Sequence, residues 1–390
     1  MNSGKTVFSQ IMNFIPKAYF DKMIATYKGN YKSRTFSCWD QYLSMAFAQL
    51  TYRESLRDIE ACLRSNSKQL YHMGIKGNIS KTNLERANKT KDYRIFESVA
   101  LNLINYAVSL FDKKDLIFNE LNNALYALDS TVIDLCLSLF PWAKHRKNKS
   151  AVRINTLLDI RTSLPSFINI SSGGIHEINS LDLIEIEPLA IYIMDKGFID
   201  FERFNKLRLS NAFFIVRAKK NQAYNRIYSL DTSNQKNVVS DQIIKMTGPK
   251  TSKYYPEKLR RIRYYDELNN RYITFITNNF SLASAIVAAL YKERWKIELF
   301  FKWIKQHLKI KSFYSRNPNA VKSQIWIAIS VYVLVIIIKK ELRLQESLYN
   351  ILQVLSVNVF SKQLLNELFI NYVPNNNTGV DDKQLFLFDF

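Results

Sequence analysis

The stretch YKERWKIELFFKWIK, residues 291–305, decides how the rest of the chain is read. Tyr291, Arg294, Glu298 and Lys305 stand at offsets of 0, 3, 7 and 14. At about 100° per residue these offsets fall on one narrow stripe of an α-helix. Leu290, Ile297, Phe301 and Ile304 line an adjacent face that can be buried. The stripe sets one carboxylate among two cations and a phenol, which suits a metal ligand with phosphate contacts on either side. A solvated basic face with Arg294–Glu298 as an ordinary i,i+4 pair fits the same residues equally well. The apolar spacing predicts one long helix from about Ser281 to Leu308.

Upstream of this helix the texture is β-rich. ALYALDSTVIDLCL (124–137), RINTLLDI (153–160) and LPSFINIS (164–171) read as three strands, with a turn at Arg161-Thr162-Ser163. A polar loop, SSGGIHEINS (171–180), follows, in which His176 reads either as a site residue or as a loop hydrogen-bonder. PLAIYIMD (188–195) is a short continuous apolar run, as expected of a strand buried on both faces. Residues 198–209 read as a helix and AFFIVRAK (212–219) as another strand. Residues 222–262 are polar and basic with weak patterning; 263–279 reads as a hairpin turning at Asn269-Asn270. Asp129 lies in the first strand and Asp195 closes the buried one. An Asp ending a buried strand is costly unless paired or metal-bound, and sites in α/β sheets gather at strand C-termini. Taken singly, each Asp is equally a turn former. Asp134, five residues after Asp129, falls on the opposite face of its strand. Asp159, Asp182 and Glu185 are the other competing carboxylates.

Composition narrows the chemistry. The 390 residues carry 55 Lys and Arg against 34 Asp and Glu, a net charge of +21, which points to a polyanionic partner, nucleic acid before membrane. The segments 144–153 and 245–263 are notably basic. Cys38, Cys62 and Cys136 are scattered without a CxxC, which excludes a disulfide scaffold and a cysteine zinc site and fits a reducing cytoplasm. The four histidines show no metal-ligand spacing, so any metal is expected on carboxylates, which favours Mg²⁺ or Mn²⁺. The first twenty residues lack the layout of a signal peptide.

Residues 1–100 hold 16 Lys and Arg against 8 Asp and Glu and show helical spacing, notably from Trp39 to Leu50 and from Ser55 to Leu63. A small basic helical module of this kind reads as a DNA reader, or more plainly as a docking domain. Residues 320–370 also read as helical. Their apolar run Ile325–Ile338 is 14 residues long, short of a bilayer span, and reads as a buried helix. The terminal LFLF run (385–388) is expected to dock.

Taken together, the chain resembles the DDE transposases of the insertion sequence 4 family. The resemblance rests on ALDSTVIDL around Asp129, YIMDKGFIDFERF around Asp195, and Tyr-x2-Arg-x3-Glu-x6-Lys on Tyr291, Arg294, Glu298 and Lys305. FFIVRAKKN (213–221) and residues 317–335 add to it. The chain departs from the family pattern at Lys196 and Phe198, where Arg and Tyr are common, and at Arg153-Ile154-Asn155, where the family has Lys-x-His. No Trp lies between Asp195 and Arg294; Tyr254, Tyr255, Tyr264 or Tyr265 would have to serve where some relatives hold a flipped base on an insertion aromatic.

The resemblance implies an α/β, ribonuclease-H-like mixed sheet flanked by helices, with a β-rich insertion and a helical N-terminal domain. It implies five segments: a helical DNA-end-binding domain (1–115), the first part of the catalytic core (120–222), the insertion (223–270), the second part with the Glu helix (271–318), and a helical C-terminal region and tail (319–390). Asp129, Asp195 and Glu298 would be catalytic and would bind two divalent cations, Mg²⁺ or Mn²⁺, about 3.5–4 Å apart. Tyr291, Arg294 and Lys305 would hold DNA phosphates, with Arg217 and Lys219 as further DNA contacts. The implied partners are double-stranded DNA, as element ends and target, and a second copy of the chain on paired ends, with no membrane. The implied place is the bacterial cytoplasm, at the nucleoid. Two other outcomes share these residues: a catalytically inactive end-binding protein, and a ribonuclease-H-like nuclease without strand transfer.

Overall fold

A computed structural model of the chain describes residues 4–112, 117–146, 149–233, 235–307 and 313–370. In chain order the helices that open it are α1 (Val7–Met12), α2 (Lys17–Thr26), α3 (Cys38–Leu50), α4 (Leu56–Ser65), α5 (Ser67–Leu70), α6 (Lys81–Thr90) and α7 (Arg94–Ser109). Then come β1 (Leu125–Leu135), β2 (Lys144–Arg146), β3 (Lys149–Asp159), β4 (Leu164–Ser172), β5 (Ile191–Met194), α8 (Phe201–Leu209), β6 (Phe213–Arg217), β7 (Tyr224–Leu230), β8 (Val238–Met246), α9 (Pro249–Tyr254), β9 (Leu259–Asp266) and β10 (Arg271–Thr277). The chain continues through α10 (Ser284–Glu293), α11 (Trp295–His307), α12 (Pro318–Glu341), α13 (Leu348–Asn358) and α14 (Glu367–Ile370). Two compact units result: one takes the chain up to Leu103 and again from Ser323, the other the chain from Ile104 to Gln306 with the stretch ending at Lys322.

The first unit is helical. Thr6, Ser55 and Ser80 cap α1, α4 and α6 through side-chain oxygens. Ser37 and Asp40 form a reciprocal capping box at α3. Phe20, Tyr42 and Phe96 are fully buried ring neighbours in its core. The unit is closed by the two ends of its chain. The Val7 and Phe8 amides donate to Ser361 O (2.8 Å) and Val359 O (3.1 Å), and Gln10 bonds Gln363 O (2.7 Å) and the Leu365 amide (3.0 Å). The apolar run at 325–338 belongs to α12, which at 24 residues is long and apolar enough to cross a membrane; 94% of its most apolar window is buried inside the protein, as in a core helix.

The second unit is built on one mixed sheet of ten strands, in the order β2-β3-β1-β5-β6-β10-β9-β8-β7, with β4 also paired to β3. β1, β3 and β4 run antiparallel, while β5 and β6 run parallel to β1. This is the ribonuclease-H-like arrangement expected from the sequence, three antiparallel strands continued by two parallel ones. The apolar run 188–195 does become the central strand β5, buried at all four positions. One side of the sheet packs on α8: Phe204 stacks on Phe214 with centroids 4.2 Å apart. Asp200 caps α8 by accepting from the Arg203 amide, so the helix begins at Phe201 rather than at 198. Residues 222–262 hold three strands and a short helix. Their weak pattern follows from β7, which is exposed along most of its length and carries no alternation. The turn at Asn270 is left-handed, with φ 47°.

The long helix expected over 281–308 is two helices. Asn279 Oδ1 accepts from the Ser281 and Leu282 amides and holds that segment in a turn, so α10 starts at Ser284. At Arg294 the bonding tightens: its amide donates to Tyr291 O (3.1 Å) and the Ile297 amide donates to Arg294 O (3.1 Å), both three residues back. That single turn separates α10 from α11. The apolar face survives it, with Leu290, Ile297, Phe301 and Ile304 all buried. The LFLF run lies outside the described residues.

Candidate active site

Asp129 and Asp195 meet because β1 and β5 are parallel neighbours in register. Leu128 pairs with Met194, and the next residue in the chain after each is the aspartate, Asp129 within β1 and Asp195 just past the end of β5. Met194 pairs in turn with Val216 of β6, so Arg217 stands beside Asp195. Three polar residues therefore follow one another across the central strands of the sheet, about 4.8 Å apart strand to strand. A residue shift of one in either pairing would send a side chain to the other face.

The helix pair supplies the rest. Arg294, at the turn between α10 and α11, forks: Nη1 donates to Asp129 Oδ2 at 3.1 Å and Nη2 bonds Glu298 Oε1. Tyr291 Oη donates to Asp195 Oδ1 at 3.1 Å. Lys305 Nζ donates to Val132 O at 3.0 Å, three residues beyond Asp129 on β1. Tyr291 and Arg294 thus tie the helices to the two aspartates. Lys219 is exposed in the loop after β6 and is not drawn into this group. Asp134 is exposed, and Asp182 pairs with Arg203 at 2.5 Å away from the group.

Burial pushes the Asp129 carboxyl up to about 6; the Arg294 charge and the Ser130 amide pull it down, and the Glu298 and Glu177 charges add to the rise. Burial works against the Arg294 charge, but Glu298, Tyr291 and Asp129 outweigh it and hold the guanidinium more firmly protonated than usual. Burial also raises Tyr291, so its phenol stays a donor.

Several side chains here escape sequence reasoning. Glu177 Oε2 accepts from Ser130 Oγ at 2.7 Å and from Arg153 Nη1 at 3.3 Å. Its neighbour His176 turns out to be a loop cap, accepting from the Ile178 amide at 3.3 Å. The only hint was an acid beside a Gly-Gly loop. Arg153 and Arg260, counted among the basic segments, are committed inside the protein: Arg260 is 4% exposed and pairs with Asp241 at 2.5 Å. Tyr255 is fully buried against Phe201 and Phe214, which removes it from the candidate base-holding aromatics.

Comparison with known proteins settles the family. A family model described as "Transposase DDE domain" matches residues 123–334, more than half of the chain. The chain belongs to the DDE transposases. Its type is that of insertion sequence 4. A second model, described as "Domain of unknown function (DUF4372)", matches residues 3–76. A Sinorhizobium fredii protein named as the transposase y4zB is 33% identical over 214 residues, covering 54% of this chain and 59% of that protein. A Geobacillus stearothermophilus protein named as a transposase for insertion sequence element IS5377 is 24% identical over 212 residues, 54% of this chain and 55% of its own length. A Synechocystis protein named as a transposase for element IS4SA is 24% identical over 335 residues, 83% and 89% of the two chains. The match thus spans little more than half the length of the first two relatives.

In a DDE transposase the acidic residues of this site are the place to look for a divalent metal. Among the described residues no three Asp, Glu, His or Cys side chains already converge closely enough to cage one. The donor set nevertheless fits: it is all carboxylate oxygen, the hard donor that Mg²⁺ and Mn²⁺ take. The Arg294 guanidinium, bonded to both Asp129 and Glu298, marks the spot as one that accepts a cation.

Proposed function

We propose that this DDE transposase excises and inserts an insertion sequence by cutting and joining DNA, with Asp129, Asp195 and Glu298 as its catalytic carboxylates. One observation carries the reading: two aspartates that follow paired residues of the parallel strands β1 and β5, joined through Arg294 and Tyr291 to the helix pair that bears Glu298. Asp129, Asp195 and Glu298 would hold Mg²⁺ or Mn²⁺. When bound, two such ions supply positive charge to the attacking and leaving oxygens of an in-line displacement. Arg294, Lys305 and Arg217, with the Tyr291 phenol, bind and orient the phosphates beside the cut; Lys219 extends that contact outward. Guanidinium suits this task because its planar fork matches two phosphate oxygens. The same carboxylates serve water attack at an element end and 3′-hydroxyl attack on target DNA.

The wider assignment follows from this. Residues 1–115 bind element ends, 120–222 and 271–318 form the catalytic core, 223–270 is the insertion, 319–390 completes the helical part, and two copies act on paired ends in the bacterial cytoplasm. The test is a strand-transfer assay with Mg²⁺ or Mn²⁺, DNA carrying the ends that flank the gene, and a target plasmid. Joined products are expected with the unaltered chain and are expected to be lost with Asp129→Asn, Asp195→Asn or Glu298→Gln. Cleavage without joining supports a nuclease instead, and binding alone an inactive end-binder.

A further inference from the structure

We propose that Glu177 is a positioning residue that clamps the middle of β1 to the turn after β5, so that Asp129 and Asp195 are aimed at one point. The proposal rests on the reading of those two residues as catalytic carboxylates. One Glu177 oxygen bonds the residue after Asp129, and the other lies against the turn after Asp195. Oε2 accepts from Ser130 Oγ at 2.7 Å, and the Ser130 amide donates to Asp129 Oδ1 at 2.7 Å. A displacement of Glu177 therefore reaches Asp129 through a relay of two hydrogen bonds. Oε1 faces Gly197: a Cβ built there would lie 2.6 Å from it, closer than real Cβ atoms come. Gly197 stands in the short turn Lys196–Phe198, whose cap is Asp195. The carboxylate is thus wedged between the residue after one aspartate and the turn that follows the other.

The loop that carries Glu177 is itself held from behind. Arg153 Nη1 bonds Ser130 Oγ at 2.8 Å as well as Glu177, and its Nη2 reaches Gly173 O at 3.4 Å. His145 Nδ1 pairs with the same Gly173 carbonyl at 2.5 Å. Gly173 and Gly174 let the loop lie this close: a Cβ on either would come within 2.9 Å of Ala151 Cβ or Lys144 O. Groups that orient metal-binding side chains from behind typically change metal affinity or activity 10- to 100-fold when altered.

The test uses the full chain and four variants: Glu177→Gln, Gly197→Ala, the double variant, and Asp129→Asn. Mn²⁺ binding is read from the electron paramagnetic resonance of the free ion, and cleavage of end-bearing DNA is titrated with Mn²⁺. Glu177→Gln and Gly197→Ala are each expected to weaken Mn²⁺ binding roughly tenfold and to raise the half-saturating Mn²⁺ for cleavage by about the same factor. The double variant should be no weaker than either single, because both break one clamp. Gly197→Ala keeps the carboxylate and carries the test if Glu177→Gln does not fold. Unchanged Mn²⁺ affinity in the folded variants, or losses that simply multiply in the double, overturns the clamp. Equal Mn²⁺ binding by the unaltered chain and Asp129→Asn is a separate result, and it removes the catalytic-carboxylate reading itself.

Discussion

At the scale of single residues, Asp129 holds its carboxyl where burial works against its charge. Its carboxyl is raised to about 6, with burial the largest cause, so its ionised form is disfavoured in the folded chain. The sign follows. Between about pH 4 and 6 the folded chain keeps a proton that the unfolded chain has released, so this group's contribution to stability declines as pH rises through that window and stays low above it. Asp129→Asn removes the penalty. Denaturant melts of the variant should match the unaltered chain near pH 3 and exceed it by about 3 kcal/mol at pH 8, as the size of the shift sets it. A variant less stable than the parent at pH 8 would show that the Arg294 pairing outweighs burial. Stability gained where activity is lost is the usual mark of a group placed for chemistry.

At the scale of elements, the start of α3 is set by Asp40. Its Oδ2 accepts from the Ser37 amide (2.9 Å) and hydroxyl (2.6 Å), and its Oδ1 from the Lys76 and Gly77 amides (both 2.9 Å). Burial works to raise this carboxyl, and the four hydrogen bonds bring it below the usual carboxylate range. Asp40→Ala leaves partly buried amides unsatisfied and should cost about 1–2 kcal/mol, read from chemical denaturation at pH 7. A lowered carboxyl stabilises above its unfolded value and ceases to as pH falls through its folded one, so the gap between Asp40→Ala and the parent should narrow as pH falls below the ordinary Asp value of about 3.8. Elements of this kind differ in how far the sequence discloses them. β5 is legible because a strand buried on both faces is a bare apolar run. β7 is not, because a strand exposed along most of its length has no pattern to show. That Arg294 reaches Glu298 is legible from the four-residue spacing; that it also reaches Asp129, 165 positions away, is not. The break at Arg294 hides for a related reason: one tightened turn leaves the apolar spacing on either side intact. Glu177 stays hidden because its partners, Ser130 and Gly197, lie far off in the chain and only the sheet brings them to it.

At the scale of the whole molecule, the helical unit is made from both ends of the chain, with the sheet unit threaded between them. α1 hangs its first amides on Ser361 and Val359, and Phe47 of α3 packs against Phe360 with centroids 5.6 Å apart. The segment 3–76, matched as a domain of unknown function, is therefore one part of a larger fold. A chain ending at residue 322 should leave residues 4–103 open to rapid proteolysis while the sheet unit resists. Protease resistance of residues 4–103 in that truncated chain would count against the joint construction. The same architecture sets a timetable during synthesis. At about 5–20 residues per second, the ribosome makes the first hundred residues wait on the order of 10–40 s for the helices that complete them. Through that interval the apolar faces of α1 and α3 have only nascent chain or a chaperone for cover, so the growing polypeptide depends on cellular custody until α13 and the residues just after it have been made.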